Sequence, residues 1–364
     1  MRILLATDAW APQVNGVVMT LRNTIRGVEA AGHVVEVIGP DRFHSIPCPT
    51  YPEIRLALLP FPLFARLADR FAPDAVHIAT EGPVGAAARK FCLREKLAFT
   101  TAYHTRFPEY VHARSRLPVR LTYAWLRRFH APAKAVMVAT PAIYADLERR
   151  GFGNLAMWTR GVDTELFRPG ARLEAGWRHP VFMYVGRVAI EKNIEAFLAL
   201  DLPGTKLVIG DGPERATLAE RYPQVKFAGY RFGAELAALL SGADVLVFPS
   251  LTDTFGLVMV EALACGVPVA AFPVPGPLDV IEPGVTGVLH ADLKRAIAAA
   301  LELDRAACVR AASGFSWHAA TDQFLSGLAP IPLPLRARLA VSRSSAIIAR
   351  MATRRQTSGA GDAN

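Results

Sequence analysis

Short apolar runs rich in β-branched residues recur along the chain, each closed by glycine, proline or a polar loop and often followed by a helical pattern. In the first half they occupy residues 3–6, 34–39, 54–59, 75–79, 99–103 and 135–140. In the second half they occupy 181–186, 206–210, 225–229, 245–249 and 267–272. Near-continuous hydrophobic strands alternating with helices predict parallel sheets covered on both faces. The series restarts near Pro180, after a polar stretch over 168–179. This predicts two doubly wound α/β domains, 1–167 and 180–314, joined by that stretch as a linker. A final helix is expected over 315–328. The remainder, 329–364, is Pro-rich and then Arg-rich, with six arginines against one acid, and is expected to be a basic, flexible tail. Ligands of such sheets bind outside the carboxyl ends of the strands, so the cleft between the domains is the expected site.

Composition narrows the class. Of 364 residues, 52% are hydrophobic and 20% charged, which excludes a disordered or fibrous chain. Cys48, Cys92, Cys265 and Cys308 are far apart, so a disulfide framework or zinc site is not expected and a reducing cytosol fits. The first apolar run breaks at Asp8, too soon for a signal-peptide core. The uncharged stretch 262–278 contains Pro268, Pro273, Pro275 and Pro277, so it is not a spanning helix. A cytoplasmic location follows as an expectation. The net charge of +9 points to an anionic partner, with nucleotide, phospholipid surface and nucleic acid all open.

The candidate chemistry lies in the loops after the strands. After 245–249 comes Thr252-Asp253-Thr254-Phe255-Gly256, and a helix is predicted to start near Gly256 and stop at Gly266-Val267-Pro268. Backbone N–H groups at that helix start suit phosphate, and Glu261, further along it, can accept hydrogen bonds from vicinal hydroxyls such as a ribose offers. Asp253 can hold hydroxyls of a second sugar. By themselves these two acids also fit a loop Asp and a surface Glu. Arg187 and Lys192 follow the first strand of the second domain, a fork and a point charge suited to a diphosphate. Gly210-Asp211-Gly212-Pro213 makes a tight turn beside the same place. In the first domain, Asp8, Asn15 and Gly16 lie in the first βα loop, and His104 stands just past a buried strand. Asn15-Gly16 also reads as an ordinary turn, and His104 as polar surface.

Taken together these loops resemble the retaining, nucleotide-sugar-dependent glycosyltransferases of family 4, whose GT-B architecture sets two Rossmann-like domains face to face. The matching residues are Asn15-Gly16-Val17, Tyr103-His104-Thr105, Gly161-Val162-Asp163 with Phe167, Gly186-Arg187 with Glu191-Lys192-Asn193, and Gly210 to Pro213. They continue through Ala243-Asp244, Phe248-Pro249-Ser250, Asp253 to Gly256, Glu261-Ala262 and Gly266-Val267-Pro268, covering about 1–326. With Thr80-Glu81-Gly82-Pro83 and Arg106-Phe107 the pattern looks most like the glycolipid-making subset, which includes sulfoquinovosyl-diacylglycerol synthases and lipid mannosyl- and glucosyltransferases.

The resemblance implies roles. Arg187 and Lys192 neutralise the departing diphosphate. Gly16, Gly210, Gly212, Phe255, Gly256 and Leu257 bind the donor, and Glu261 holds its ribose. Asp253 takes the first place of the family's acidic pair and contacts the transferred sugar, beside His104. Asp8, Asn15, Glu81 and Arg160 line the acceptor side. Asp253 replaces a more usual Glu, and Arg160 a more usual Asn, which leaves the sugar open and admits an anionic group on donor or acceptor. The implied transfer retains anomeric configuration without a covalent enzyme nucleophile. No Asp-x-Asp triplet is present, so neither metal nor other cofactor is expected.

Between His104 and His130 six arginines face one acid, Glu109, and Leu117, Leu121, Trp125 and Phe129 recur every four residues. That pattern predicts an interfacial helix at an anionic leaflet, or an amphipathic helix packed on the sheet. A membrane lipid such as diacylglycerol is therefore the expected acceptor, with peripheral attachment to the inner face of the cytoplasmic membrane; a soluble or polysaccharide acceptor is the alternative. A nucleic-acid-binding protein is the non-enzyme rival, but the charge lacks aromatic interleaving, so no nucleic-acid partner is expected. A dinucleotide oxidoreductase lacks its Gly-x-Gly after the first strand, and no lysine stands out as a pyridoxal anchor for a phosphorylase.

Overall fold

The structure is a computed structural model that describes residues 1–49, 51–170, 176–333 and 335, without the side chains of 51–53, 113 and 114. Among the described residues fourteen strands are formed: β1 Arg2–Ala6, β2 Val34–Ile38, β3 Ser45–Cys48, β4 Tyr51–Ala57, β5 Ala75–Ile78, β6 Thr100–Tyr103, β7 Val136–Val138, β8 Leu155–Met157, β9 Val181–Val185, β10 Thr205–Ile209, β11 Lys226–Gly229, β12 Val245–Phe248, β13 Val269–Ala271 and β14 Gly287–Leu289. The first sheet runs β2-β1-β5-β6-β7-β8 and the second β11-β10-β9-β12-β13-β14. Every pairing in both is parallel. The central strands β5, β6, β10 and β12 are buried along their whole length, as apolar runs between two helical layers must be.

Strand order reverses direction between β1 and β5 in the first sheet and between β9 and β12 in the second. At such a switch point the loops leaving the two strands diverge to opposite faces and open a crevice. The first crevice is bounded by the loops that carry Asp8 and Glu81. The second is bounded by the loops that carry Arg187 and Lys192 on one side and Asp253 on the other.

The strand expectations are corrected at β3, β4, β8 and β14. Of the run 54–59, residues 54–57 belong to β4, which pairs antiparallel with β3 as a separate two-stranded ribbon, and Leu58 and Leu59 are exposed beyond its end. Its alternation of Ile54 and Leu56 with Arg55 is the period of a strand with one dry face, not of a buried parallel strand. Strands β3, β8 and β14 were not anticipated, because part-exposed strands of three or four residues leave no long apolar run.

The last helix among the described residues, Trp317–Gly327, turns back and packs on the first, Gly16–Ala30, so this segment completes the N-terminal half. Beyond it the Ile331 N–H donates to the Asp74 carbonyl at 2.7 Å, and Ile331, only 3% exposed, lies in the core of the first sheet. The expected tail therefore does not begin at 329, because Ile331 is an anchor. Its arginines, from Arg336 onward, lie outside the described residues, as do 171–175 of the expected linker. Among the described residues no helix is long and apolar enough to cross a membrane.

Candidate active site

On the second domain the loop after β9 is held from several sides. The Tyr184 hydroxyl donates to the Arg187 carbonyl at 2.7 Å, and the Val188 N–H donates to the Asp211 carbonyl at 2.9 Å. Gly210 and Gly212 have φ of +138° and +158°, and a Cβ on them would stand 1.9 Å from the Gly186 carbonyl oxygen and 2.3 Å from that of Val188. Their immediate reason to be glycine is this loop-on-loop contact, which brings the turn after β10 against the cationic loop. Asn193, in the left-handed region at φ 51°, donates to the Pro249 carbonyl at 3.1 Å, and the Thr252 hydroxyl donates to the Glu191 carbonyl at 3.1 Å. These bonds stitch the loops after β9 and β12 across the switch point.

Within that stitched crevice Lys192 Nζ lies 2.5 Å from Asp253 Oδ1, both side chains about one-fifth exposed. Burial alone lowers the affinity of Lys192 for its proton, but Asp253 and the phenols of Tyr110 and Tyr184 outweigh it, so the ammonium is held above its ordinary range. Arg187 Nη1 lies 3.7 Å from Glu191 Oε1, whose residue is nearly buried. Gly256 adopts φ +85° and precedes the helix Leu257–Ala264, whose start carries no side-chain cap. The Met259 N–H donates to the Gly256 carbonyl at 2.9 Å, which leaves the N–H groups of Leu257 and Val258 as those a ligand can meet. Glu261 sits about one turn into that helix, and burial pushes its carboxyl up to about 7. Arg187, Lys192, Asp253, Gly256, Leu257 and Glu261 are therefore borne on the two loops of one switch point and the helix that follows. Phe255 is corrected: at 5% exposure it stacks edge-on against Phe315, ring centroids 5.9 Å apart, and its side chain belongs to the core rather than to the donor surface.

The first domain closes over these loops. The Thr254 hydroxyl donates to the His104 carbonyl at 2.7 Å, the Thr140 hydroxyl to the Thr254 carbonyl at 3.3 Å, and the Ala142 N–H to Asp279 Oδ1 at 3.0 Å. Tyr110, on the helix Phe107–Ser115 that follows His104, reaches the second domain: it hydrogen-bonds Thr252 and faces Lys192, Asp253 and Glu191, and burial raises its phenol. Sequence reasoning missed Tyr110. The available signal was its place, in the first turns of a helix opened by Pro108 just after the His104 loop.

The remaining first-domain candidates divide. Gly16 opens the helix Gly16–Ala30, and a Cβ there would meet open space, so a ligand can approach its backbone. Asn15 is corrected from a cleft group to a cap, since its Oδ1 accepts from the N–H groups of Val17 and Val18, both at 3.0 Å. Asp8 is corrected likewise: 8% exposed, it accepts from the N–H of Val84 at 2.8 Å, the N–H of Gly85 at 3.2 Å and the Thr80 hydroxyl at 2.9 Å. It caps the helix Pro83–Arg94 from across the switch point, and burial raises its carboxyl against those bonds. Glu81 stays at the crevice, its Oε1 3.1 Å from Nε2 of the buried His130. Arg160 does not line the cleft. It is 3% exposed and lies beneath His104, its Nη2 3.2 Å from His104 Nδ1 and its guanidinium 4.4 Å over the Trp158 ring.

The chain that forms these two crevices is similar to known proteins along most of its length. The family profile described as Glycosyltransferase Family 4 matches residues 14–166, and Glycosyl transferases group 1 matches 179–303. A GDP-mannose-dependent alpha-mannosyltransferase of Mycobacterium tuberculosis is 31% identical over 314 residues, covering 79% of this chain and 83% of the relative. The alpha-monoglucosyldiacylglycerol synthase of Acholeplasma laidlawii is 28% identical over 74% of this chain and 79% of its own. In fold, sucrose-phosphate synthase from Thermosynechococcus elongatus superposes with a TM-score of 0.71 at 22% identity, over 89% of this chain and 97% of that one. The two doubly wound domains expected from the strand pattern are thus the GT-B arrangement. The chain is a glycosyltransferase and belongs to glycosyltransferase family 4.

Proposed function

We propose that this enzyme transfers a hexose from a UDP- or GDP-linked donor to a membrane lipid, with retention of configuration and without a metal ion. The observation that carries the reading is the cationic switch point, with Arg187 and Lys192 at the carboxyl end of β9 facing the first domain's His104 loop and Tyr110. A nucleoside diphosphate placed there sets its phosphates on these two cations and on the open N–H groups of the helix Leu257–Ala264. Its ribose reaches Glu261. The arriving phosphate takes over Lys192 and frees Asp253 for the hydroxyls of the sugar. The bond from the anomeric carbon to phosphate then breaks as the acceptor hydroxyl adds on the same face, and the hydroxyl proton leaves with the diphosphate. The two cations stabilise the charge that grows on the leaving group.

A lipid acceptor is supported by similarity to a relative named for diacylglycerol glucosylation and by one surface of the first domain. On the helix Val119–His130, Leu121 and Trp125 are 59% and 47% exposed, with Leu117 and Phe107 beside them at 51% and 42%. Arg116, Arg120, Arg127 and Arg128 are exposed around them, while Tyr123, Leu126 and Phe129 turn inward. Phe129 thus leaves the expected outward stripe, but an apolar patch ringed by arginines remains, and it suits the inner, anionic leaflet of a cytoplasmic membrane.

The test is incubation of the purified chain with UDP- and GDP-sugars and diacylglycerol vesicles, with products read by mass and anomeric configuration by NMR, with and without EDTA. Hexosyl-diacylglycerol of retained configuration in both conditions is the expected result. No sugar transfer to any lipid, or loss of transfer in EDTA, would sink the corresponding part.

A further inference from the structure

A guanidinium has five N–H donors and no acceptor. Arg160 Nη1 donates to the carbonyls of Trp158 at 2.5 Å and Thr159 at 2.9 Å, which pins the group, and its ring contact with Trp158 fixes the plane. Its Nη2 then meets His104 Nδ1 at 3.2 Å. A donor on Nδ1 requires a lone pair there. The neutral imidazole carries one proton, so that proton resides on Nε2.

The opposite assignments are costly. A proton on Nδ1 would set N–H against N–H. Protonation of both nitrogens would add a second cation to a guanidinium that no carboxylate pairs among the described residues. The titratable groups facing His104 are Arg160 and His77, and both disfavour a charge on it, as does burial, so the imidazolium is held well below its ordinary range. His77 is itself buried, with Nδ1 2.9 Å from the Thr100 hydroxyl. On the other side of the ring, His104 Nε2 is buried and has no partner among the described residues. A buried N–H without an acceptor is expensive unless a ligand supplies one.

We propose that Arg160 is a positioning residue that locks His104 as the uncharged Nε2–H tautomer. The ring then serves as a permanent hydrogen-bond donor to an oxygen of the bound sugar, and it takes no part as a titrating acid or base. This rests on the reading of His104 as a neighbour of the transferred sugar, but the lock can be examined without turnover.

The experiment is ring nitrogen NMR on the full-length chain labelled with ¹⁵N-histidine, with the His104 signals assigned by their loss in His104→Asn. Wild type is expected to show a protonated Nε2 and a bare Nδ1, unchanged across about pH 5.5 to 8.5, where an ordinary histidine titrates. Arg160→Lys keeps a donor and is expected to preserve this spectrum. Arg160→Met removes it; its His104 is expected to exchange tautomers, and its pH–rate profile to acquire an acid limb. Loss of kcat in Arg160→Met of roughly ten- to a hundredfold is the scale for losing one hydrogen bond to a charged group. A wild-type His104 that is protonated on Nδ1 or titrates in that window overturns the proposal, even if Arg160→Met fails to fold. So does an Arg160→Met protein with the wild-type spectrum and profile. The expected wild-type spectrum together with unchanged kcat and donor KM in His104→Asn would support the lock and refute the placement of His104 beside the sugar instead.

Discussion

Lys192 and Glu261 hold opposite ends of the proposed donor and fail in different ways. Lys192→Ala removes one of two cations from the leaving group and is expected to lower kcat by roughly 10² to 10³, the cost of deleting one preorganised charge-stabilising group. Glu261→Ala is expected to abolish most transfer through loss of the ribose contact, and both variants should keep the wild-type circular dichroism; full turnover in either would contradict its role. Glu261 also sets a pH dependence. Its carboxyl, raised by burial to about 7, accepts from two hydroxyls through both of its oxygens only when ionised, so the donor KM is expected to rise as pH falls below 7. For stability the sign is the reverse of an ion-paired acid. The folded-state value lies above the unfolded one, so the cost of ionising Glu261 in the fold is absent at low pH and complete above about 7. Glu261→Gln should accordingly raise Tm at pH 8 and leave it unchanged at pH 4, and a Tm gain of equal size at both would show that burial is not the cause.

Among the secondary-structure elements, two helices that follow β6 face in different directions. Phe107–Ser115 presents Tyr110 to the loops of the second domain, and Val119–His130 presents Leu121 and Trp125 to solvent. Tyr110→Phe deletes only the hydroxyl that meets Thr252 beside Lys192, so turnover is expected to fall severalfold while Tm changes little, a net hydrogen bond being worth about 1 kcal/mol. Unaltered kcat and donor KM would remove Tyr110 from the site. Leu121→Asp with Trp125→Asp places two charges on the outward patch. Sedimentation with anionic vesicles is expected to drop sharply while transfer to a water-soluble acceptor persists; equal vesicle binding would take the membrane away from this helix.

At the level of the whole molecule, the C-terminal segment ties the first domain together before the basic stretch begins. Ile331 fills the core of the first sheet and its main chain continues the pairing beside β5, so Ile331→Ala is expected to cost about 2–5 kcal/mol, the range for emptying a buried branched site. Truncation after residue 335 keeps this anchor and should leave Tm near wild type, whereas truncation after 328 should lower it. Thermal denaturation of the two shortened chains separates them, and equal melting temperatures would show that the anchor adds nothing.

Parallel strands betray themselves in sequence because both faces are dry, and so the strand series, the restart near Pro180 and the loops that hold Arg187, Lys192, Asp253 and Glu261 were legible without coordinates. A resemblance spread over many short motifs supplied the family. Side-chain duty was not legible where it depends on partners remote in the chain. Asp8 is committed to Val84 and Gly85, more than seventy residues away, and Arg160 to His104 across fifty-six. Asn15 and Phe255 look like site residues in a motif, yet one is spent on its own helix and the other on the core. Tyr110 enters the site only because the domains close on one another. Local pattern determines which segments become strands and which loops stand at their ends; the assignment of each polar group to a ligand or to the protein is decided by burial, since a polar group taken out of water must find its partner wherever the fold places one.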